Sequence, residues 1–206
     1  MVREKIGFFQ RFIASVGKRL LWWRADKMDL YVLALMARET VIKYREILDG
    51  DLEKAVTLLK EQFAESAKTF LSDFMDQMRL IMSKDLNDMP FMSEVALYAI
   101  LGKNYKKFFL RPRYITADDP DNEYGVPHYR TVSTKCLLCS VIQDLNLEEY
   151  KDLNYGEIIS YALGSLVELI FDYIGLNYRV EVREIHCFLR GDPYSEIHML
   201  LFETEK

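Results

Sequence analysis

The chain has 206 residues, of which half are hydrophobic and 29% are charged, and its formal net charge is −5 at pH 7. This length allows one domain with a sizeable core plus an extension, and the acidic balance argues against nucleic acid as a partner. Three cysteines form an odd, sparse set, unlike a secreted disulfide scaffold. We therefore expect a globular protein of a reducing, cytoplasmic compartment.

Neither a membrane-spanning helix nor a signal peptide is predicted. No run reaches the roughly 18 uninterrupted apolar residues that would span a bilayer, and acidic residues interrupt the closest candidate, 155–175. At the N-terminus, Gln10 and Arg11 split the apolar run, and no clean small-residue cleavage site follows. Any association with a membrane would then be peripheral.

Residues 1–27 are basic in an otherwise acidic chain. They carry seven Lys and Arg against two Asp and Glu, a net charge of +5, which leaves −10 for the remaining residues. Between positions 3 and 24 apolar residues recur at steps of three and four, a pattern typical of an amphipathic helix. The apolar positions are Ile6, Phe9, Phe12, Ile13, Val16, Leu20 and Trp23, and the bases between them include Arg11 and Lys18. We treat 1–27 as a basic amphipathic N-terminal segment.

Two interpretations of this segment stay open. As an interfacial anchor it would insert its apolar stripe at headgroup depth and turn its bases toward an anionic membrane. Alternatively, it docks on a partner subunit or on its own core, with its bases in solvent. Something has to cover the aromatic side chains in either case, because an exposed stripe of this density promotes aggregation.

Residues 28–206 are predicted to form a single α+β domain, with helices first and a sheet last. Asp29 is a plausible N-cap for a helix that ends near residue 48. The further predicted helices are 52–83, 91–101, 135–145 and 155–174, the last of them capped by Asn154 and, being apolar on most faces, central to the core.

Strands are predicted around and after these helices. Residues 108–115 read as an extended segment that Pro112 confines to a sheet edge or a bulge, and 129–132 read as a strand after an acidic loop. Alternating apolar residues predict strands at 178–189 and 194–202, joined at 190–193. The chain would therefore end in an antiparallel hairpin with one buried face.

This hairpin carries a sequence pattern that resembles a known superfamily. Glu184 and Cys187 match the first two positions of the Glu-x2-Cys-x7-Cys pattern of 4-vinyl-reductase domains, and Ser195 stands where the last cysteine would be. The final strand, 195–202, is similar to that of the small subunits of the TRAPP vesicle-tethering complex. Residues 28–31 and 52–80 are similar to the first two helices of those subunits. The resemblance covers about 28–203.

The resemblance implies an α+β fold, a homodimer formed through the N-terminal helices, and an internal apolar pocket. In the superfamily such a pocket holds a hydrophobic small molecule or a fatty acyl chain. The candidates to line it are aromatic and Met side chains of the helix at 52–83 together with the apolar side chains that they face on the helix at 155–174. From the first helix these are Phe70, Phe74 and Met78, and from the second Leu163, Val167, Ile170 and Phe171. The same side chains could equally fill the space as ordinary core.

Zinc is a second option, with Glu184 and Cys187 as the candidate ligands because the 4-vinyl-reductase branch binds zinc at this pattern. Cys136 and Cys139 add further thiols, although one helical turn would let both pack in the core. Since successive strand residues face opposite ways, His186 and Cys187 cannot both point inward without a bulge. The core interpretation is favoured, and zinc is not expected.

Three functions follow in order of preference. The first is a non-catalytic binding module that holds an apolar ligand or acyl chain and acts as a sensor or adaptor with a protein partner. A TRAPP-like tethering adaptor, recruited to membranes by its N-terminal helix, is the second. The third, a Cys- or zinc-dependent enzyme, lacks any sign of a base, an orienting carboxylate and an oxyanion hole brought together.

Overall fold

A computed structural model describes residues 4–24 and 29–204 of the chain. The α-helices in these parts are α1 (Phe8–Arg24), α2 (Leu30–Ile47), α3 (Leu52–Met78), α4 (Met89–Leu101), α5 (Leu137–Ser140) and α6 (Glu157–Ile174). The strands are β1 (Arg113–Ile115), β2 (His128–Ser133), β3 (Tyr178–His186) and β4 (Ser195–Glu203). The predicted α+β class, with helices first and a C-terminal hairpin, is confirmed.

The strands form one antiparallel sheet in the order β1-β2-β4-β3. β1 lies at an edge, as Pro112 predicts. Alternation along β4 sends Ile197, Met199 and Leu201 toward the helices, and His198 to the opposite side. One face of the sheet, here called the inner face, therefore packs on α6, while the outer face carries polar side chains.

α6 lies across the inner face at very short range. A Cβ atom added at Gly164 would come within 2.5 Å of a methyl group of Val182 on β3. A side chain at this position would therefore push the helix off the sheet. The bare backbone of Gly164 allows the close contact.

Two hydrophobic clusters share α6. The pocket cluster gathers the C-terminal half of α6, the end of α3, α4 and the inner sheet face, and it includes Met78, Tyr129, Val167 and Met199. The hairpin cluster gathers the start of α6, the α2–α3 hairpin, α5 and the turn after β3. Because α6 is buried along both, it is the central helix that its composition predicts.

Several predicted boundaries are wrong. The N-terminal helix begins at Phe8 rather than at residue 3, because the backbone N–H of Ile6 donates to a carboxylate oxygen of Asp88 at 2.7 Å, which ties the preceding segment to the start of α4. The helix predicted to reach residue 83 ends at Met78 and continues as one 3-10 turn, and α4 begins at Met89 with Pro90 in its first turn.

Two further predictions about helices fail for local reasons. Asp29 does cap α2, accepting from the N–H groups of Tyr31 and Val32, but Asn154 does not cap α6. Asn154 adopts a left-handed conformation (φ 47°, ψ 49°), and its side chain accepts a hydrogen bond of 2.7 Å from Arg190. The helix predicted at 135–145 is reduced to the single turn of α5. The predicted domain boundary between residues 27 and 28 falls among residues that are not described and stays a prediction.

Candidate functional site

An apolar pocket lies between α4, α6 and the inner face of the sheet. The residues that line it are Met89, Ser93, Ala96, Leu97, Phe109, Pro112, Tyr129, Thr131, Leu163, Leu166, Val167, Ile170 and Met199. The α6 members recur at steps of three and four and so share one helix face. Ser93 and Thr131 bring hydroxyl groups to a lining that is otherwise almost entirely apolar.

The pocket is narrow. Its free volume of about 40 Å³ would admit about three water-sized groups, since each needs roughly 10–15 Å³. Pockets that enclose drug-sized ligands measure roughly 300–1,000 Å³. A long alkyl chain therefore enters only if flexible lining side chains such as Met89 and Met199 change rotamer, which methionine does at little cost.

Only some of the predicted pocket residues line the pocket. Leu163, Val167 and Ile170 line the pocket. Met78 and Phe171 are buried in the same cluster but away from the lining. The side chains of Phe70 and Phe74 lie outside the described part of the structure.

Sequence reasoning missed the contributions of α4 and the sheet to this lining. α4 is apolar on nearly all sides, so its periodicity indicates no particular face. Thr131 and Met199 could have been found, because alternation along β2 and β4 places them on the inner face. Choosing the pocket among several apolar contacts required the three-dimensional arrangement.

The hairpin brings the three motif residues together. A bulge in β3 between Glu184 and His186 lets Glu184 and Cys187 both face inward, where they are 9% and 2% exposed. Glu184 accepts a hydrogen bond of 3.3 Å from the hydroxyl of Ser195. Its other carboxylate oxygen has no hydrogen-bond partner among the described residues. His186 turns away and contacts Asp192 and Tyr194.

Burial controls the protonation of Glu184 and Cys187. Loss of solvent raises the pKa of Glu184 to about 7, against an opposing effect of Arg190. Burial, followed by the charge of Glu184, raises the pKa of the Cys187 thiol to about 11. At neutral pH Cys187 is thus a buried neutral thiol, the opposite of the exposed thiolate that a nucleophilic cysteine requires.

These residues do not fit a family-type zinc site. Ser195 replaces a thiolate, and within residues 4–24 and 29–204 no group of three or more His, Cys, Asp or Glu side chains is close enough to hold a metal ion. A structural zinc ion takes four protein ligands. The backbone of Gly156 lies against the Glu184 carboxylate, since a Cβ atom added at Gly156 would clash with it.

Cys136 and Cys139 are joined by a disulfide across the turn of α5. Both residues are partly buried and pack against the hairpin cluster, as the core interpretation predicts, but they do so as a disulfide. Their spacing of three residues on one helical turn is what brings the sulfurs together. Cys187 is a free, buried cysteine.

The outer face of the sheet carries a hydrogen-bonded charge network. Glu196 accepts from Arg130 at 2.7 Å and lies 2.7 Å from Nε2 of His198, whose Nδ1 is 2.9 Å from the hydroxyl of Tyr124. The His128 ring stacks on His198 with centroids 5.0 Å apart. Although burial opposes it, hydrogen bonds from Arg130 and His198 lower the pKa of Glu196. This network anchors the loop before β2 onto the sheet.

α1 docks on α4 through its small and basic side rather than its aromatic stripe. Arg11 pairs with the buried Asp88 and lies over the ring of Phe91, and Lys18 pairs with Glu94 at 3.3 Å. Ala14 is buried between them. Of the predicted apolar stripe, Ile6 is buried, while Phe9, Phe12, Ile13, Val16 and Trp23 are exposed; the side chain of Leu20 is not described. Arg11 and Lys18 are therefore paired with acids instead of lying free in solvent, whereas Arg19 is exposed.

Comparison with known proteins identifies the fold. The sequence matches no protein-family model and no curated protein at a significant level. Among solved structures, the chain is similar to subunit 3 of the trafficking protein particle complex from Naegleria fowleri, covalently bound to palmitic acid. The TM-score is 0.58 at 19% sequence identity, and the match covers 86% of this chain and 97% of the other.

This similarity shows that the chain has the fold of a TRAPP small subunit, as the resemblance implies. Because the identity is only 19%, this similarity supports the fold and not a function. The link to 4-vinyl-reductase domains stays a prediction. In addition, none of the helices in the described residues is both long and apolar enough to cross a bilayer.

Proposed function

We propose that this protein is a non-catalytic binding module that holds an alkyl chain or a similar hydrophobic molecule in the pocket between α4, α6 and the sheet. The observation that carries the proposal is an internal, almost wholly apolar pocket in a fold for which a similar protein is bound to palmitic acid. The neutral, buried Cys187 and the incomplete metal set at the hairpin favour binding over catalysis.

Retention of the ligand would be non-covalent. The TRAPP subunit of similar fold binds palmitic acid covalently, but none of the residues that line this pocket is a cysteine. Cys187 belongs to the hairpin cluster, and Cys136 and Cys139 are paired with each other. An alkyl chain would then be held by burial, which contributes about 0.8 kcal/mol per methylene group.

A cellular role as a cytoplasmic adaptor, acting as a sensor or a scaffold within a protein assembly, is part of the same proposal. It is supported by the similarity of the fold to that of a trafficking complex subunit. Recruitment of the chain to an anionic membrane by α1 stays a prediction. The ion pairs that Arg11 and Lys18 make with α4 reduce what those two bases would contribute to such recruitment.

The test is a titration of the full chain with saturated fatty acids of increasing length up to palmitic acid. Affinity should rise with chain length until the opened pocket is full, because each methylene adds buried apolar area. Val167→Trp places an indole in the pocket and should abolish binding. The matched control, Val32→Trp, lies on α2 at a position that is 52% exposed and should bind like the wild type.

Circular dichroism would confirm that both variants fold. Should Val167→Trp fail to fold, Ala96→Ile blocks the same space with a smaller side chain. A wild-type chain that binds none of the fatty acids contradicts the proposal. So does a folded Val167→Trp or Ala96→Ile variant whose affinity equals that of the wild type.

A further inference from the structure

The disulfide between Cys136 and Cys139 lies shortly after β2 and spans the single turn of α5. Since the two cysteines are three positions apart, the bond closes a very small loop. In the chain-entropy account a disulfide stabilises a fold by restricting the unfolded chain, and the effect is smallest for the shortest loops. Structural crosslinking is therefore a weak explanation for this bond.

The pair is accessible to molecules in solution, unlike the remaining cysteine. Cys136 and Cys139 are half-buried, and the residues that flank them in the chain, Lys135 and Ser140, are exposed. Cys187, by contrast, is 2% exposed and is a free thiol. The sulfur atoms of the pair are therefore the ones that a small thiol can approach in the folded protein.

The surroundings of the pair favour a thiolate on Cys136. The backbone N–H of Cys139 donates to Sγ of Cys136 at 2.9 Å. Two exposed bases lie close by: Lys135 is the preceding residue, and the carbonyl of Lys107 accepts from the hydroxyl of Thr134 at 3.4 Å. A hydrogen bond to sulfur and nearby positive charge both stabilise the thiolate. When the disulfide opens, Cys136 is thus the better leaving sulfur.

We propose that Cys136 and Cys139 form a reversible thiol–disulfide site that exchanges with small thiols of the glutathione class. A glutathione thiolate attacks Sγ of Cys139 and forms a mixed disulfide, while the bond between the two cysteines breaks and its electron pair leaves on Sγ of Cys136. A second glutathione attacks the mixed disulfide and releases glutathione disulfide and the Cys139 thiol. Two glutathione molecules thus supply the two electrons and two protons, and glutathione disulfide closes the pair by the reverse steps.

A cytoplasmic location, which is itself part of the proposed function, agrees with such a site. In a reducing compartment disulfides are usually transient and serve catalysis or redox sensing. The three cysteines of the chain are also too few for a secreted disulfide scaffold. The exchange is a property of the purified chain, so its test does not depend on where the protein is located.

The structural effect of opening should be confined to the turn of α5. Leu138, between the cysteines, is 2% exposed and Ile142 is fully buried, and both pack in the hairpin cluster that includes α2. These contacts hold the segment in both redox states, whereas the crosslink fixes only 136–139. Amide hydrogen exchange over 136–140 should therefore be faster in the dithiol form, with exchange in α6 unchanged.

The experiment equilibrates the folded full chain with glutathione buffers of varied ratio between reduced and oxidised forms, and counts reactive thiols by maleimide labelling and mass spectrometry. The wild type should change reversibly between no reactive thiol and both thiols of the pair, with Cys187 reacting only after denaturation. The matched control Cys187→Ala should show the same transition. The double variant Cys136→Ser/Cys139→Ser should show none.

Single variants test the assignment of Cys136. In Cys139→Ser the N–H of residue 139 is kept, so the remaining Cys136 thiol keeps its donor. This variant should form the mixed disulfide with glutathione disulfide at least about threefold faster at neutral pH than Cys136→Ser, because the larger thiolate fraction is only partly offset by lower nucleophilicity. Equal rates would overturn the assignment of Cys136 as the leaving sulfur.

Two results would overturn the proposal as a whole. One is a pair that stays closed in excess reduced glutathione and opens only when the chain unfolds. The other is a pair that fails to close in excess glutathione disulfide. Both leave fatty-acid binding untouched, because the pocket lies in the other cluster. Failure of this site and failure of the proposed function are therefore distinguishable.

Discussion

The two clusters that share α6 differ in what each offers to a ligand. The pocket cluster has free volume and an almost wholly apolar lining. Beside the hairpin cluster, by contrast, the Glu184 carboxylate, the Cys187 thiol and the Ser195 hydroxyl lie close together, with the backbone of Gly156 against the carboxylate. Reactive groups and room for a substrate therefore occur at different ends of one helix. This separation is the structural reason for preferring a binding module to an enzyme.

The largest effect expected at the hairpin end follows from the burial of Glu184. Its folded-state pKa, raised by burial to about 7, lies above the ordinary value, so between pH 4.5 and 7 the folded chain binds more protons than the unfolded chain. Wild-type stability contributed by this group therefore falls as pH rises through that window. Glu184→Gln keeps the shape without the charge, and its stability advantage over the wild type should grow by about 2–3 kcal/mol between pH 5 and pH 8.

Urea unfolding at the two pH values measures this difference. The control is Glu65→Gln, at an exposed position on α3, whose difference from the wild type should stay nearly constant. An advantage of Glu184→Gln that does not change with pH would mean that this carboxylate is well solvated or paired.

A matched pair of substitutions compares the packing of the two clusters directly, and we expect a smaller change in the free energy of unfolding from it. Ala55, in the hairpin cluster, and Ala96, on the pocket lining, are 0% and 2% exposed. Ala55→Ile should cost about 1–3 kcal/mol, because added methylene groups strain a filled core. Ala96→Ile should change the free energy of unfolding by less than about 1 kcal/mol, since its extra atoms enter free volume.

Thermal or urea unfolding of the two single variants at one pH is sufficient for this comparison. The contrast between identical substitutions removes the effect of the lower helix propensity of isoleucine, which both helices share. Equal losses at the two positions would show that the pocket is as tightly packed as the hairpin end. The free volume would then have no functional meaning.

Most of the fold could be predicted because it depends on local patterns. The Asp29 cap, the alternation in β3 and β4 and the edge position of β1 all follow from residue type and spacing. The prediction that Asn154 caps α6 was wrong because its side chain accepts a hydrogen bond from Arg190, 36 positions away. Such a contact competes with helix capping and cannot be read from neighbouring residues.

The candidate sites were less predictable for a physical reason. Periodicity finds the apolar side of α1, yet the side that docks is decided by two acids elsewhere in the fold, Asp88 just before α4 and Glu94 on α4. In the same way, the α6 residues of the pocket lie on a predictable face, but whether they line a space or fill it depends on what α4 and the sheet place opposite. Sequence spacing contains no information about the distance between α6 and the side chains that lie opposite it.

Mass spectrometry of the purified full chain tests the central claim most directly, by comparing native with denaturing conditions. We predict a reproducible adduct of alkyl-chain mass under native conditions that disappears on denaturation, because the pocket lining has no cysteine to form a thioester. The same adduct should be absent from Val167→Trp. A native mass equal to the bare polypeptide, together with failure to take up added palmitic acid, would contradict the claim that the pocket binds a ligand. An adduct that survives denaturation would contradict the claim that binding is non-covalent.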